Sequence, residues 1–306
     1  MKRWCALCVL SVSFACAGGW QVQETSQWLV RYKGAGALAV MEGKRADRSS
    51  IFDSSGHFKQ YGYKIEDATN NSWGVAGVLP VVILVQNSDA KSILKVTPKP
   101  GITAFTQPIQ IVGSNANFKQ VIIKAPRDAE QSVFGLMSGG AILIDGHVGK
   151  LTTNARLLAS FLIIGSCGSM ACRSMYYSYL VLGTPQQYVS NAYVDYYGET
   201  NDYTTMNGGD LDTLKVAGSI QDSMVFAGCM PLASIFTVNL PTFYNSYPPG
   251  GTIGKVQATS LSGVGRFNVP AAKWLATCHL IGDKRPEIKI PTARILTEGS
   301  SVYINE

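Results

Sequence analysis

The sequence is poor in charge. Asp, Glu, Lys and Arg make up 15% of its 306 residues against 46% hydrophobic ones. That balance excludes a disordered chain, because there is ample apolar surface to build a core. Blocks of like charge are missing as well. The net charge of +6 comes from dispersed lysines and arginines, so nothing supports a nucleic-acid role, and what remains is a diffuse attraction to anionic surfaces. Histidine is scarce, with only His57, His147 and His279. A paired cysteine framework is lacking too. The seven cysteines (Cys5, Cys8, Cys16, Cys167, Cys172, Cys229, Cys278) are odd in number and widely spaced. They suit neither a disulfide scaffold nor a zinc site and read as reduced thiols, so neither a metal nor a cofactor is implied. No internal repeat or low-complexity tract is visible.

One stretch opposes the reducing-compartment reading. "MKRWCALCVLSVSFACAGGW" has Lys2 and Arg3, an apolar run from Trp4 to Phe14, then Ala15-Cys16-Ala17, the order of a secretory signal with a small-x-small cleavage site. The run is too short for an ordinary membrane-spanning helix, and no other stretch resembles one, so no stable membrane span is expected. Secretion, the remnant of a hydrophobic polyprotein neighbour and a folded N-terminal strand all stand as readings of residues 1–20.

What the chain does have is many short strand signals. "GALAVM", "GVLPVVILVQ", "SILKV", "PIQIVG", "KQVIIKA", "SVFGLM", "AILIDG" and "YYSYLVLG" are β-branched or aromatic and bounded by Gly, Pro, Asn or Ser. Such texture favours barrels or sandwiches over βαβ units. "TPKPGITAFTQP" (97–108) reads as a crossover between two barrels, one over residues 21–112 and one over 113–198. The polar stretch 199–211 reads as a linker. A smaller, partly helical domain is expected over 212–306, with one helix over about 212–226. A second runs from the cap Asn268 through "AAKWLATCHLI" to Gly282.

Within the second barrel lies "SFLIIGSCGSMACRS", where Cys167 sits among Gly165, Ser166, Gly168 and Ser169. Small residues let the backbone bend tightly, the geometry that an oxyanion hole needs. This stretch resembles the nucleophile loop of the nidovirus 3C-like main proteases, in which a chymotrypsin-like double β-barrel carries cysteine in place of serine and a helical third domain follows. "DAEQSVFGLMSGG" is similar to the strand leading into that loop, and the segment from Val269 through "DKRPEIKIPTARILTEG" to the end of that third domain.

The resemblance implies a cysteine endopeptidase with a Cys-His dyad and an acyl-enzyme intermediate. Cys167 is the nucleophile, and the N–H groups of Gly165, Ser166 and Cys167 form the oxyanion hole. His57 matches the order and separation of the base; His147 and His279 are the alternatives. Asp89 stands where an orienting acid would, against its reading as a solvated turn aspartate. Phe161, Tyr177, Tyr179 and Leu182 would line the substrate pocket, although the usual Tyr-x-His is absent. Self-release would put Glu306 at P1. The implied partners are a viral polyprotein substrate and a second copy in a homodimer, in the host-cell cytoplasm or at its replication membranes. Two other classes stand beside this one, a secreted chymotrypsin-like hydrolase, favoured by the signal pattern and the Asn70-Asn71-Ser72 sequon, and a non-catalytic β-rich binding protein.

Overall fold

The computed structural model describes residues 19–47, 64–68, 80–102, 107, 109–114, 116–125, 133–134, 141–158, 161–194, 200–207, 209–231, 250–262, 267–269, 274–276, 278–291, 293–298 and 301–305. All regular structure among them is β; no helix occurs among the described residues. The mainly-β expectation is met.

The strands stack in parallel, coil upon coil, along three faces. On the first face Val81–Gln86 pairs in parallel with Ile109–Ser114, which pairs with the start of Ala141–Thr153. The start of Phe161–Cys172 follows, then Tyr179–Leu182, Ser223–Ala227 and Cys278–Ile281. The second face runs Ile93–Pro98, Phe118–Ile123, the later halves of the strands from Ala141 and Phe161, Leu211–Gln221, Ile253–Leu261 and Glu287–Lys289. A narrow third face stacks Val133–Phe134, Arg156–Leu158, Ser174–Tyr176 and the end of Leu211–Gln221. Parallel strands that meet face after face in this order make a solenoid, in which each coil contacts only its neighbours.

Pairing crosses residues 112/113 without a break, since Ile109–Ser114 bonds to a strand on either side of that point. The described residues therefore form neither of the two closed barrels expected over 21–112 and 113–198. The expected helices are also replaced. Leu211–Gln221 alternates buried and exposed positions as a strand does. All four residues of Cys278–Ile281 are buried, a pattern that suits a sheet covered on both sides better than a helix with one inward stripe. The stretch expected as a linker contributes Thr200–Asn207, paired antiparallel with Thr184–Val194.

Inside the coils, like residues stack into ladders. One runs Ile83, Ile111, Ile142, Leu162, Leu180, Val225, Leu280, Val302, and the facing one Tyr32, Leu94, Val121, Leu151, Met170, Leu214, Val256, Ile288. Leu157, Met175, Ile220 and Leu261 close the third side. Together they belong to one continuous core.

Antiparallel strands finish the stack. At the N-terminal end Trp28–Lys33 pairs with Ile93–Pro98, Gln21–Glu24 adds to its far side, and Ala37–Glu42 pairs with Val81–Gln86. At the other end Ser301–Asn305 covers Cys278–Ile281 and is itself covered by Arg294–Glu298. At the C-terminal end this closes the first face only, where an uncovered edge would template pairing with another chain. The hairpin Lys44–Asp47/Lys64–Asp67 lies over the outside of the first face, where Ala46 and Ile65 pack with Val82, Leu84 and Val112. Buried Gln110 holds it there: its amide accepts from the Ala46 N–H at 2.7 Å and donates to the Ala46 carbonyl at 3.2 Å.

Candidate functional site

The Gly-Ser-Cys-Gly-Ser stretch occupies the corner where one long strand passes from the first face to the second. Up to Ile164 the chain pairs on the first face; from Ser166 onward it pairs on the second, with His147 and Val148 on one side and Leu211 on the other. The glycines are there for contact rather than for bending. A Cβ on Gly165 would lie 2.6 Å from the Gly146 carbonyl oxygen, and one on Gly168 2.7 Å from that of Gly149. Stacked corners approach so closely that any side chain would push the coils apart.

This register turns Cys167 inward. It stands in an interior column between Val148 and Leu211 and is 1% exposed. Burial, reinforced by the Asp212 carboxylate, pushes its thiol up to about 12, the opposite of the electropositive, part-exposed setting that lowers a thiol toward reactivity. Its backbone N–H, expected in the oxyanion hole, donates instead to the Asp210 carbonyl at 2.8 Å.

Among the described residues, Asp89, Tyr177, Tyr179, Leu182 and His279 are not gathered around it. His57 and Glu306 lie outside the described residues. Asp89 is an exposed turn residue, accepting from the Lys91 N–H at 3.0 Å and the Ser92 hydroxyl at 2.7 Å; the Ser92 bond leads the causes that hold its carboxyl below the usual range. Leu182 points into the core and is fully buried, and Tyr179 is 2% exposed, so neither lines an open pocket. Phe161 is the backbone partner of Tyr179 on the first face. Tyr177 adopts φ +50° at a corner, and its hydroxyl accepts from the Gln221 amide at 2.8 Å. His279 is fully buried and stacked on Tyr303, 4.3 Å between ring centroids; burial pushes it down to about 3. It cannot serve as a base at neutral pH.

Ser166 points outward, and there the structure brings together a pair that sequence reasoning did not. His147 Nδ1 lies 2.8 Å from the Ser166 hydroxyl, and its backbone N–H donates to the Asn117 side chain at 2.9 Å. One coil further, Asp210 accepts from the Thr252 N–H at 2.9 Å and hydroxyl at 2.7 Å. These five coils thus carry a polar column along one corner. It ties neighbours together, and the N–H that would meet a substrate carbonyl beside Ser166 is the one already given to Asp210.

The second face carries the other feature that went unread. Its outer side is exposed, and its cations do not cluster in sequence. Arg31, Lys33 and Lys95 lie near the N-terminal end, Lys119, Lys124 and Lys150 in the next coils, and Lys215, Lys255 and Lys289 toward the C-terminal end. Against these nine stand three carboxylates on the same strands and their approach, Asp210, Asp212 and Glu287. The face alone therefore equals the whole chain's net charge of +6. Glu287 is shared by Lys255 at 3.3 Å and Lys289 at 3.0 Å, and Lys95 lies 4.9 Å above the Trp20 ring. The detectable signal was alternation. "LDTLKVAGSIQ" and "IGKVQATSL" put Lys, Thr and Gln at every second position, the mark of a strand with one wet side. Among the described residues no group of acidic, His or Cys side chains could hold a metal ion.

No family model, curated protein or solved structure matches the chain.

Proposed function

We propose that this chain is an exported, non-catalytic solenoid that works by binding through its surface. The observation that carries the reading is the interior position of Cys167, the residue on which peptide-bond cleavage would depend. A buried thiol held near 12 has almost no thiolate at neutral pH, and among the described residues paired strands flank it on both sides, at Val148 and Leu211. Export is supported by Lys2, Arg3 and the apolar run that follows them, and by the Asn70-Asn71-Ser72 sequon. A polyprotein-processing cysteine protease and its homodimer would need the strand from Phe161 to turn Cys167 outward. A one-residue slip in register would do that, but on the second face it would also turn the buried Met170 and Cys172 toward water.

Iodoacetamide labelling of the folded chain near pH 8, read by mass spectrometry, tests the reading. Cys167 is expected to stay unmodified alongside Cys172 and Cys278, which are buried and equally pushed up to about 12, and all three should label once the chain is unfolded in denaturant. Fast labelling of Cys167 alone in the folded state would restore the protease.

A further inference from the structure

The geometry points to the second face as a binding surface for a linear acidic polysaccharide laid along the solenoid axis. The inference rests on the binding reading above and adds the ligand.

Charge comes first. A flat face that equals the chain's entire net charge attracts polyanions at long range, and most of its cations are uncommitted. Apart from the ion pairs of Glu287, no ion pair to these nine cations occurs among the described residues. Spacing comes second. Neighbouring strands stand about 4.8 Å apart, close to the length of one sugar unit in an extended polymer. Lys150 and Lys255 share one column with Ser169 and Thr213 between them, hence lie about 14 Å apart. Lys215 and Lys289 share the next with Gln257 between them, about 10 Å apart. Carboxylates recurring along a uronate chain would meet an ammonium every two or three units, and the hydroxyl and amide side chains between would face sugar hydroxyls.

The chemistry of the face also separates this ligand from nucleic acid. From Phe118–Ile123 to Glu287–Lys289 its outer side has no aromatic residue on which a base could stack. Its cations there are all lysines, point charges rather than the forked guanidinium that matches phosphate best. Along its middle Gly149, Gly168, Ala171 and Gly254 leave the backbone bare, so a ribbon-like polymer can approach the strands closely.

The test uses the full chain and three probes in parallel, polygalacturonate, neutral dextran and single-stranded DNA of matched charge number, with binding measured from low to physiological salt. Polygalacturonate should bind and weaken steeply as salt rises, with dextran inert and DNA weaker. The double variant Lys150→Gln/Lys215→Gln should lose tenfold or more, while Arg294→Gln, on the C-terminal cap, should bind as the parent does. DNA bound as tightly as or more tightly than polygalacturonate would overturn the polysaccharide assignment in favour of nucleic acid. No binding of polygalacturonate at low salt, or binding indifferent to the double variant, would overturn the face itself. None of these failures would disturb the proposed function, which falls only if Cys167 proves reactive.

Discussion

The two broad faces of this solenoid are built from the same parallel pairing, yet they meet their surroundings in opposite ways. The first is apolar on both sides. Beside its inner ladder it carries an outer one, Val112, Leu143, Ile163, Val181, Phe226 and Ile281, whose described side chains are at most 2% exposed. The hairpin Lys44–Asp47/Lys64–Asp67 lies against this side. The second face buries one side only and presents lysines, threonines and glycines to water. Hydrogen bonding is therefore not what distinguishes them. What differs is the side-chain sequence, continuous in one case and alternating in the other, and with it the role each face can play.

The sharpest way to break this contrast is to put the same residue into matched outward positions. Val181→Lys buries a charge on the first face where nothing compensates it, and a cost of about 4 kcal/mol or more, or failure to fold, is expected. Ala171→Lys adds a like side chain to the open second face, and its melting behaviour should match the parent to within about 0.5 kcal/mol. Comparable losses in urea unfolding of the two variants would mean that the second face is covered too.

That contrast is half legible in the sequence. "VVILV", "AILI" and "YLVL" read as strands, whereas "FLII" reads as part of a nucleophile loop. The continuity of all four, four or five apolar residues without a polar alternate, is also the mark of a parallel sheet buried on both sides, a signal that the barrel expectation passes over. The repeat was hidden by unequal coil lengths. Phe161 pairs with Tyr179 eighteen residues on, whereas Met224 pairs with His279 fifty-five residues on, so no fixed period survives. The glycines around Cys167 were legible as a tight site but open to two readings. Close approach of stacked backbone and an oxyanion hole ask for the same absence of Cβ, and only the neighbouring coil, with Gly146 under Gly165 and Gly149 under Gly168, decides between them. The basic face was illegible as a block, because its lysines are separated by whole coils in sequence and adjoin only after stacking.

A smaller effect sharpens the comparison through pH. The first face buries an ionisable group, His279, on its outer side against Tyr303, while the second keeps its charges wet. With the folded imidazole pushed down to about 3 and the unfolded one near 6.5, the unfolded chain binds the extra proton between those values. Stability is therefore complete above about pH 6.5 and is lost as pH falls toward 3. Between pH 7 and 5 the loss from this residue should be about 2 kcal/mol. His279→Phe keeps the aromatic stack and should flatten that part of the urea-unfolding profile relative to the parent. Parallel profiles would show that the imidazole finds water or a proton acceptor in the folded state.

The smallest effect is expected at the C-terminal end of the second face. There the sheet stops at Glu287–Lys289, a short strand with exposed charged ends, whereas the first face is closed by Ser301–Asn305. Charged side chains on a short edge strand deter pairing with another chain, so Glu287 and Lys289 protect the edge without building it. The Lys289 contact first, then Lys255, holds the Glu287 carboxyl below its ordinary range. By sign, any contribution it makes is present at neutral pH and lost in acid, but Glu287 and Lys289 are exposed and Lys255 only partly buried, so solvent screens them. Glu287→Gln should therefore leave the melting temperature unchanged at physiological salt. It should still free both lysines, so the variant is expected to elute later from a cation exchanger and to hold polygalacturonate at least as tightly as the parent. A clear fall in melting temperature, or the appearance of dimers in sedimentation, would instead make Glu287 a structural lock on the open end of the basic face.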